Sequence, residues 1–237
     1  MVAAGPPSLL WVTVRRAFST GRFFLIYGII VSLILGLALN FASPSSFATG
    51  FPIVLPVFGV VGSMGALVVF TSDRMTGVFE YLLAYGVSPR RLFLNVLYTS
   101  LVLVSIVVAV GLAGGLGLFA AKGNTLTAEL GVLLGVYCLP MSYISSAFAA
   151  TIGMFWTSLS TPRTGVNSPI GLIPFIGILP SLATLGVLVV LGEEGLVSAA
   201  FIFPVVGGMV GLFGVVVIAL LATMGRFLRR EQLLSPV

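Results

Sequence analysis

Chemistry needs side chains that carry or exchange charge, and in this chain of 237 residues they gather in one interval. From Ser72 to Val96 the sequence SDRMTGVFEYLLAYGVSPRRLFLNV holds Asp73, Arg74, Glu80, Arg90 and Arg91 between two long apolar runs. Elsewhere the catalytic repertoire is thin. There is no histidine to act as a general base. The single cysteine, Cys138, lies in an apolar run without metal-ligand company and reads as a buried small hydrophobe. No GxxxxGK[ST] phosphate loop occurs; the glycine-rich stretch Gly111–Gly117 lacks the lysine and lies in mid-run. The chain therefore reads as a non-enzyme that does not hydrolyse ATP by itself. Ser142, Tyr143, Ser145 and Ser146 cluster beside Pro140, where hydroxyls are expected to bond backbone freed by the proline.

The elements that position this interval follow from composition. Hydrophobic residues make up 59% of the chain and charged residues 7%, with a mean hydropathy of +1.23. Soluble domains carry about 25% charged residues, so the solvent of this chain is a bilayer. Roughly 20 apolar residues cross the hydrocarbon as a helix, and the runs are continuous rather than alternating, which argues against a β-barrel. The pattern predicts an all-α integral membrane protein with six transmembrane helices, near 23–41, 51–71, 97–120, 130–156, 170–191 and 200–224. Ala42–Gly50, with Pro44 and its serines, reads as a turn. No extramembrane segment is long enough to fold alone, so 1–237 reads as one domain. Before the first span, 7–22 reads as an interfacial helix, with Leu10, Val14 and Phe18 on one face and Arg15, Arg16 and Arg22 reaching head groups.

Orientation follows from the basic residues. With the N-terminus inside, ten of the 11 fall on inner segments: Arg15, Arg16, Arg22, Arg74, Arg90, Arg91, Arg163, Arg226, Arg229 and Arg230. Only Lys122 lies outside. Both termini are thus expected in the cytoplasm of a multi-pass cell-membrane protein, and the charge serves orientation rather than nucleic-acid binding. The Ser72–Val96 interval becomes a cytoplasmic hairpin between spans two and three. Val78, Leu82 and Tyr85 share one helical face with Phe79 and Leu83 beside them, and Gly77 and Gly86–Pro89 break the segment in two. The spans are essentially free of ionisable residues, which disfavours ion-coupled transporters; a channel would want a polar pore ring. Three small-xxx-small pairs, Gly111/Gly115, Gly131/Gly135 and Gly207/Gly211, allow close helix packing within the chain or across a dimer seam.

The hairpin carries a family resemblance. Asp73-Arg74-x-x-Gly77-x-x-Glu80-x-Leu82-Leu83 followed by Val87-Ser88-x-Arg90-Arg91 resembles the segment after the second span in membrane subunits of the ABC type-2 permease family. The family often has Pro at Gly86 and Gly-Lys at Asn95-Val96. The resemblance implies a transmembrane permease subunit of an ATP-binding-cassette exporter. It implies a coupling helix, formed by Asp73, Arg74, Gly77, Glu80, Leu82, Leu83, Ser88, Arg90 and Arg91, that docks on a separate ABC ATP-binding subunit. In that scheme two permease chains, expected as a homodimer, work with two ATPase copies, and ATP and Mg belong to the partner. Gly77 is expected to allow close backbone approach. The substrate route would be apolar, with Phe58, Met64, Phe70 and Phe175 along it. The alternative is an assembly or sensor protein, not driven by ATP, whose hairpin binds a cytoplasmic partner.

Overall fold

The computed structural model describes residues 8–159, 173–193 and 199–227, and among these the regular structure is helical with no strand. The helices are α1 (Leu9–Thr20), α2 (Arg22–Ala42), α3 (Pro44–Ser63), α4 (Gly65–Met75), α5 (Val78–Ala84), α6 (Pro89–Ala121), α7 (Ala128–Val132), α8 (Leu139–Leu159), α9 (Ile173–Glu193) and α10 (Ala199–Phe227). A widened π turn, Leu133–Cys138, joins α7 to α8.

Among the described residues, five helical segments are long and apolar enough to cross a membrane: Arg22–Ala42, Pro44–Met75, Pro89–Ala121, Ala128–Phe155 and Ile202–Thr223. The fifth expected span coincides with α9, whose apolar described stretch, Ile176–Val190, falls short of that length, and the sixth coincides with α10. The first residues of the fifth expected span and the loop that holds Arg163 lie outside the described residues.

Two boundaries differ from expectation for local reasons. Ala42–Gly50 is not a turn: Ser43 alone separates α2 from α3, and Pro44 occupies the first turn of α3. Proline suits that position because its missing N–H would be unpaired there anyway. The Ser43 Oγ accepts from the Ser46 N–H at 3.0 Å, capping the helix. The second difference lies at the fourth span, which opens through the π turn immediately before Pro140. A proline ring crowds the carbonyl four residues back and donates no hydrogen bond, which widens the preceding turn.

The tightest packing joins α2, α3 and α6. A Cβ on Gly28 of α2 would lie 2.9 Å from the Gly62 Cα of α3, so the two backbones touch. Gly36 faces Gly115 of α6 in the same way, at 3.1 Å. Beside that contact the buried Asn40 Nδ2 donates to Gly36 O at 2.8 Å and to Gly115 O at 3.1 Å. Lys122 closes this end: its Nζ donates to Asn40 O at 2.6 Å and sits 4.0 Å above the Phe41 ring. Phe47 stacks on Phe51 and on Phe119, each at 4.7 Å. Of the three glycine pairs, Gly111/Gly115 packs within the chain, whereas Gly131, Gly135, Gly207 and Gly211 meet nothing within 4 Å.

A seam of hydroxyls holds α8 to its neighbours. Ser146 pairs with Ser100 of α6 at 2.9 Å, Tyr143 with Ser105 of α6 at 2.9 Å, and Ser145 with Ser181 of α9 at 3.4 Å. Ser142 alone of the four returns its proton to the backbone before Pro140, at Cys138 O, 2.6 Å away. Three of these hydroxyls therefore glue helices together rather than repair the proline turn.

Because Gly28 meets backbone, which cannot swing aside, Gly28→Leu is expected to cost about 1–3 kcal/mol by overpacking. Gly117→Leu, whose Cβ meets nothing within 4 Å, should be neutral. Thermal unfolding midpoints of the two variants in detergent compare them directly.

Candidate functional site

The charged interval folds as a short hairpin between α4 and α6, and two glycines make it possible. Gly77 has φ +72° and Gly86 φ +84°, left-handed values at which other residues pay a steric penalty. At the first break the Thr76 N–H donates to Ser72 O at 3.0 Å, and Gly77 O then accepts from the Tyr81 N–H at 3.2 Å to start α5. At the second, Val87 N–H donates to Leu82 O at 3.1 Å and Gly86 N–H to Leu83 O at 3.2 Å. This pair of bonds is the Schellman closure of a helix C-terminus. Ser88 then caps α6, its Oγ accepting from Arg91 N–H at 3.3 Å, with Pro89 in the first turn.

Gly77 thus sets the backbone angle of the break, and within the chain a Cβ there would meet only the Glu80 Oε2, at 3.8 Å. The faces of α5 also differ from the expected ones. Phe79 and Leu83 turn into the core, and the Phe79 ring lies 5.1 Å from Phe70 of α4. Val78 and Leu82 are half-buried beside them. Tyr85 faces away at 72% exposure, with Tyr81 at 62% and their rings 4.5 Å apart. Met75 and Glu80 are exposed as well.

The hairpin is locked to the bundle by α1. Arg16 forms an ion pair with Asp73, which is buried together with Arg74. On the neighbouring helix Asn95 Nδ2 reaches Thr13 Oγ1 at 3.5 Å. The packed residues of α1 are Ala17, fully buried, and the half-buried Leu9, Thr13 and Arg16. Leu10 and Val14 are half-buried, but Phe18 points outward. Trp11, Arg15, Phe18 and, just beyond α1, Arg22 are all exposed.

The structure divides the anticipated coupling residues into three groups. Asp73, Arg74 and Leu83 are buried, and Leu82 is half-buried, so these shape and hold the hairpin. Gly77 and Ser88 set its turns. Glu80, Arg90 and Arg91 are exposed. Arginines in the first turn of a helix oppose its dipole, so Arg90 and Arg91 do not serve the stability of α6. Of the anticipated route residues, Met64 and Phe70 lie buried in one core cluster and Phe58 is half-buried. The Phe175 side chain lies outside the described residues. Sequence reasoning passed over Met75, Tyr81 and the Arg16 partnership, and grouped Tyr85 with the half-buried Val78 and Leu82. The four-residue spacing of Tyr81 and Tyr85 was the available signal, since such pairs meet on a helix surface.

No protein-family model, no curated protein and no solved structure matches this chain. Fold and site together define a multi-span helical membrane protein.

Gly77→Ala is expected to cost about 1–2 kcal/mol in the hairpin, from the left-handed backbone alone. The change should appear as faster amide exchange across Val78–Ala84 while α2 and α3 keep their protection. Asp73→Asn should loosen α1 by only about 1 kcal/mol, because the Arg16 side chain is 37% exposed and solvent screens the pair. Amide exchange over Leu9–Thr20 measures it.

Proposed function

We propose that this chain is the transmembrane subunit of an ATP-driven exporter, worked by a separate ATP-binding subunit through the Ser72–Val96 hairpin. The observation that carries the proposal is the two-sided build of α5. One side, Phe79 and Leu83, is packed into the bundle; the other presents Glu80, Tyr81 and Tyr85, with Met75 nearby. A motor needs such an element, because force applied to a loose loop would be lost in local motion. Exposed tyrosines beside charges are the residue types that anchor protein interfaces.

The described basic side chains support the orientation. Arg15, Arg16, Arg22, Arg74, Arg90 and Arg91 belong to the hairpin end of the bundle, and Lys122 to the opposite end. By the positive-inside rule the hairpin end faces the cytoplasm, where ATP is available. The exposed Trp11, Arg15, Phe18 and Arg22 then sit at the inner head groups, an aromatic and basic set suited to that depth. A second copy of the chain would complete the working unit, and the unfilled surfaces at Gly131, Gly135, Gly207 and Gly211 leave room for it.

The test is co-purification of this chain with a candidate ATP-binding-cassette ATPase, sought first among the genes that neighbour its own. Tyr85→Ala and Glu80→Lys are each expected to weaken the complex at least 10-fold, about 1.4 kcal/mol, while leaving the fold intact because both side chains are exposed. Unchanged association of both variants refutes docking through this face.

A further inference from the structure

Between α1, α4, α5 and the start of α6 lies a cavity of about 140 Å³. Its floor is aromatic, from Phe70 and Phe79, and its α5 wall is aliphatic, from Val78 and Leu82. Four polar residues, Thr13, Arg16, Asp73 and Asn95, also line it. An apolar cavity of about 150 Å³ is large enough to take up benzene, so this one is sized for a single ring. Its charge is equally restrictive. Among the described residues, Arg16 and Asp73 are the only charged ones lining it, and they pair with each other. A charged guest would have to shed its water against a site whose own charges already cancel. Hydrogen-bonding capacity does remain. Thr13 donates to Leu9 O at 2.9 Å, which leaves its oxygen as an acceptor, and the Asn95 amide reaches Thr13 only at 3.5 Å, the outer limit of a hydrogen bond. Val12, at 39% exposure, and the Arg16 side chain, at 37%, open the rim to the surface.

The geometry points to a binding site for a small neutral aromatic amphiphile: one ring in the apolar part, and one hydroxyl or amide against Thr13 and Asn95. The site is separate from the outward face of α5 and does not depend on what docks there. Its occupant would touch both α1 and the hairpin, bridging the two elements that the Arg16–Asp73 pair already joins.

Fluorine NMR of 4-fluorophenol with the purified full-length protein tests the site. The expected result is saturable broadening that unlabelled phenol reverses, at least 10-fold stronger than for 4-fluorobenzoate or 4-fluorobenzylammonium. Val78→Phe and Leu82→Phe, which fill the cavity from half-buried positions, should each reduce the effect 10-fold or more. Two fillers guard against one of them failing to fold, and the charge comparison needs only the wild-type chain. Broadening that does not saturate, equal binding of the charged analogues, or binding retained in the folded filler variants overturns the proposal. So does loss of the signal on transfer from detergent into phospholipid nanodiscs, which would assign the cavity to an acyl chain.

Discussion

Backbone contact between helices is the constraint on which the rest of this structure rests. In a bilayer, lipid tails solvate leucine as well as a neighbouring helix does, so apolar burial does not hold spans together. Close contact must do it, and here it is made where side chains are missing: Gly28 on Gly62, and Gly36 on Gly115. The Asn40 amide uses that proximity to bridge two backbones, an arrangement possible only where glycines bring the carbonyls of α2 and α6 together. Lys122 then fixes the same two helices at their ends. The α2–α3–α6 trio is the frame, and the other helices are referenced to it.

From this frame the hairpin gains its definition. At 33 residues, α6 runs for roughly 50 Å at 1.5 Å per residue, well beyond a hydrocarbon core of about 30 Å. Its first turns therefore carry Arg90 and Arg91 out of the apolar slab without a break in the helix. Gly77 and Gly86 turn α5 back against the bundle, and the Phe79–Phe70 contact with the Arg16–Asp73 pair keeps it there. Each of these contacts is modest alone. Together they leave the outer tyrosines on a surface that cannot shift independently of α1 and α4.

Much of this was legible in the amino-acid order, for identifiable reasons. Long apolar runs announce spans because a bilayer demands them, and Gly77, Gly86 and Pro89 announce turns because few other residues suit those backbone positions. The start of α3 was misjudged because Pro44 is read equally well as a loop residue or as the first turn of a helix; the Ser43 cap decides between them. The orientation of α5 was misjudged because its apolar residues surround most of the helix, and only the position of Phe70 selects Phe79 and Leu83 as the buried pair. The partnership of Arg16 with Asp73 spans too much sequence for any local pattern to reveal. The hydroxyls around Pro140 were correctly noticed as a group, but their partners Ser100, Ser105 and Ser181 lie on other helices.

The two routes from the hairpin into the membrane are not mechanically alike. α6 is one unbroken helix, so a displacement at Arg90 is carried rigidly along its length. The route through α4 is articulated. At Met64 the ladder tightens: Met64 N–H donates to Val61 O at 3.2 Å, spanning three residues instead of four, and Met64 O is shared between Leu67 N–H at 3.0 Å and Val68 N–H at 3.1 Å. Met64 itself is buried in the core, and Gly65 beside it packs against Gly21 at the junction of α1 and α2. Under the proposed drive, a push on the hairpin would move α6 as a rod while α4 pivots against α3 at Met64. The chain would then convert one motion at the hairpin into a relative motion of two adjacent spans, which a pair of uniformly rigid levers could not produce.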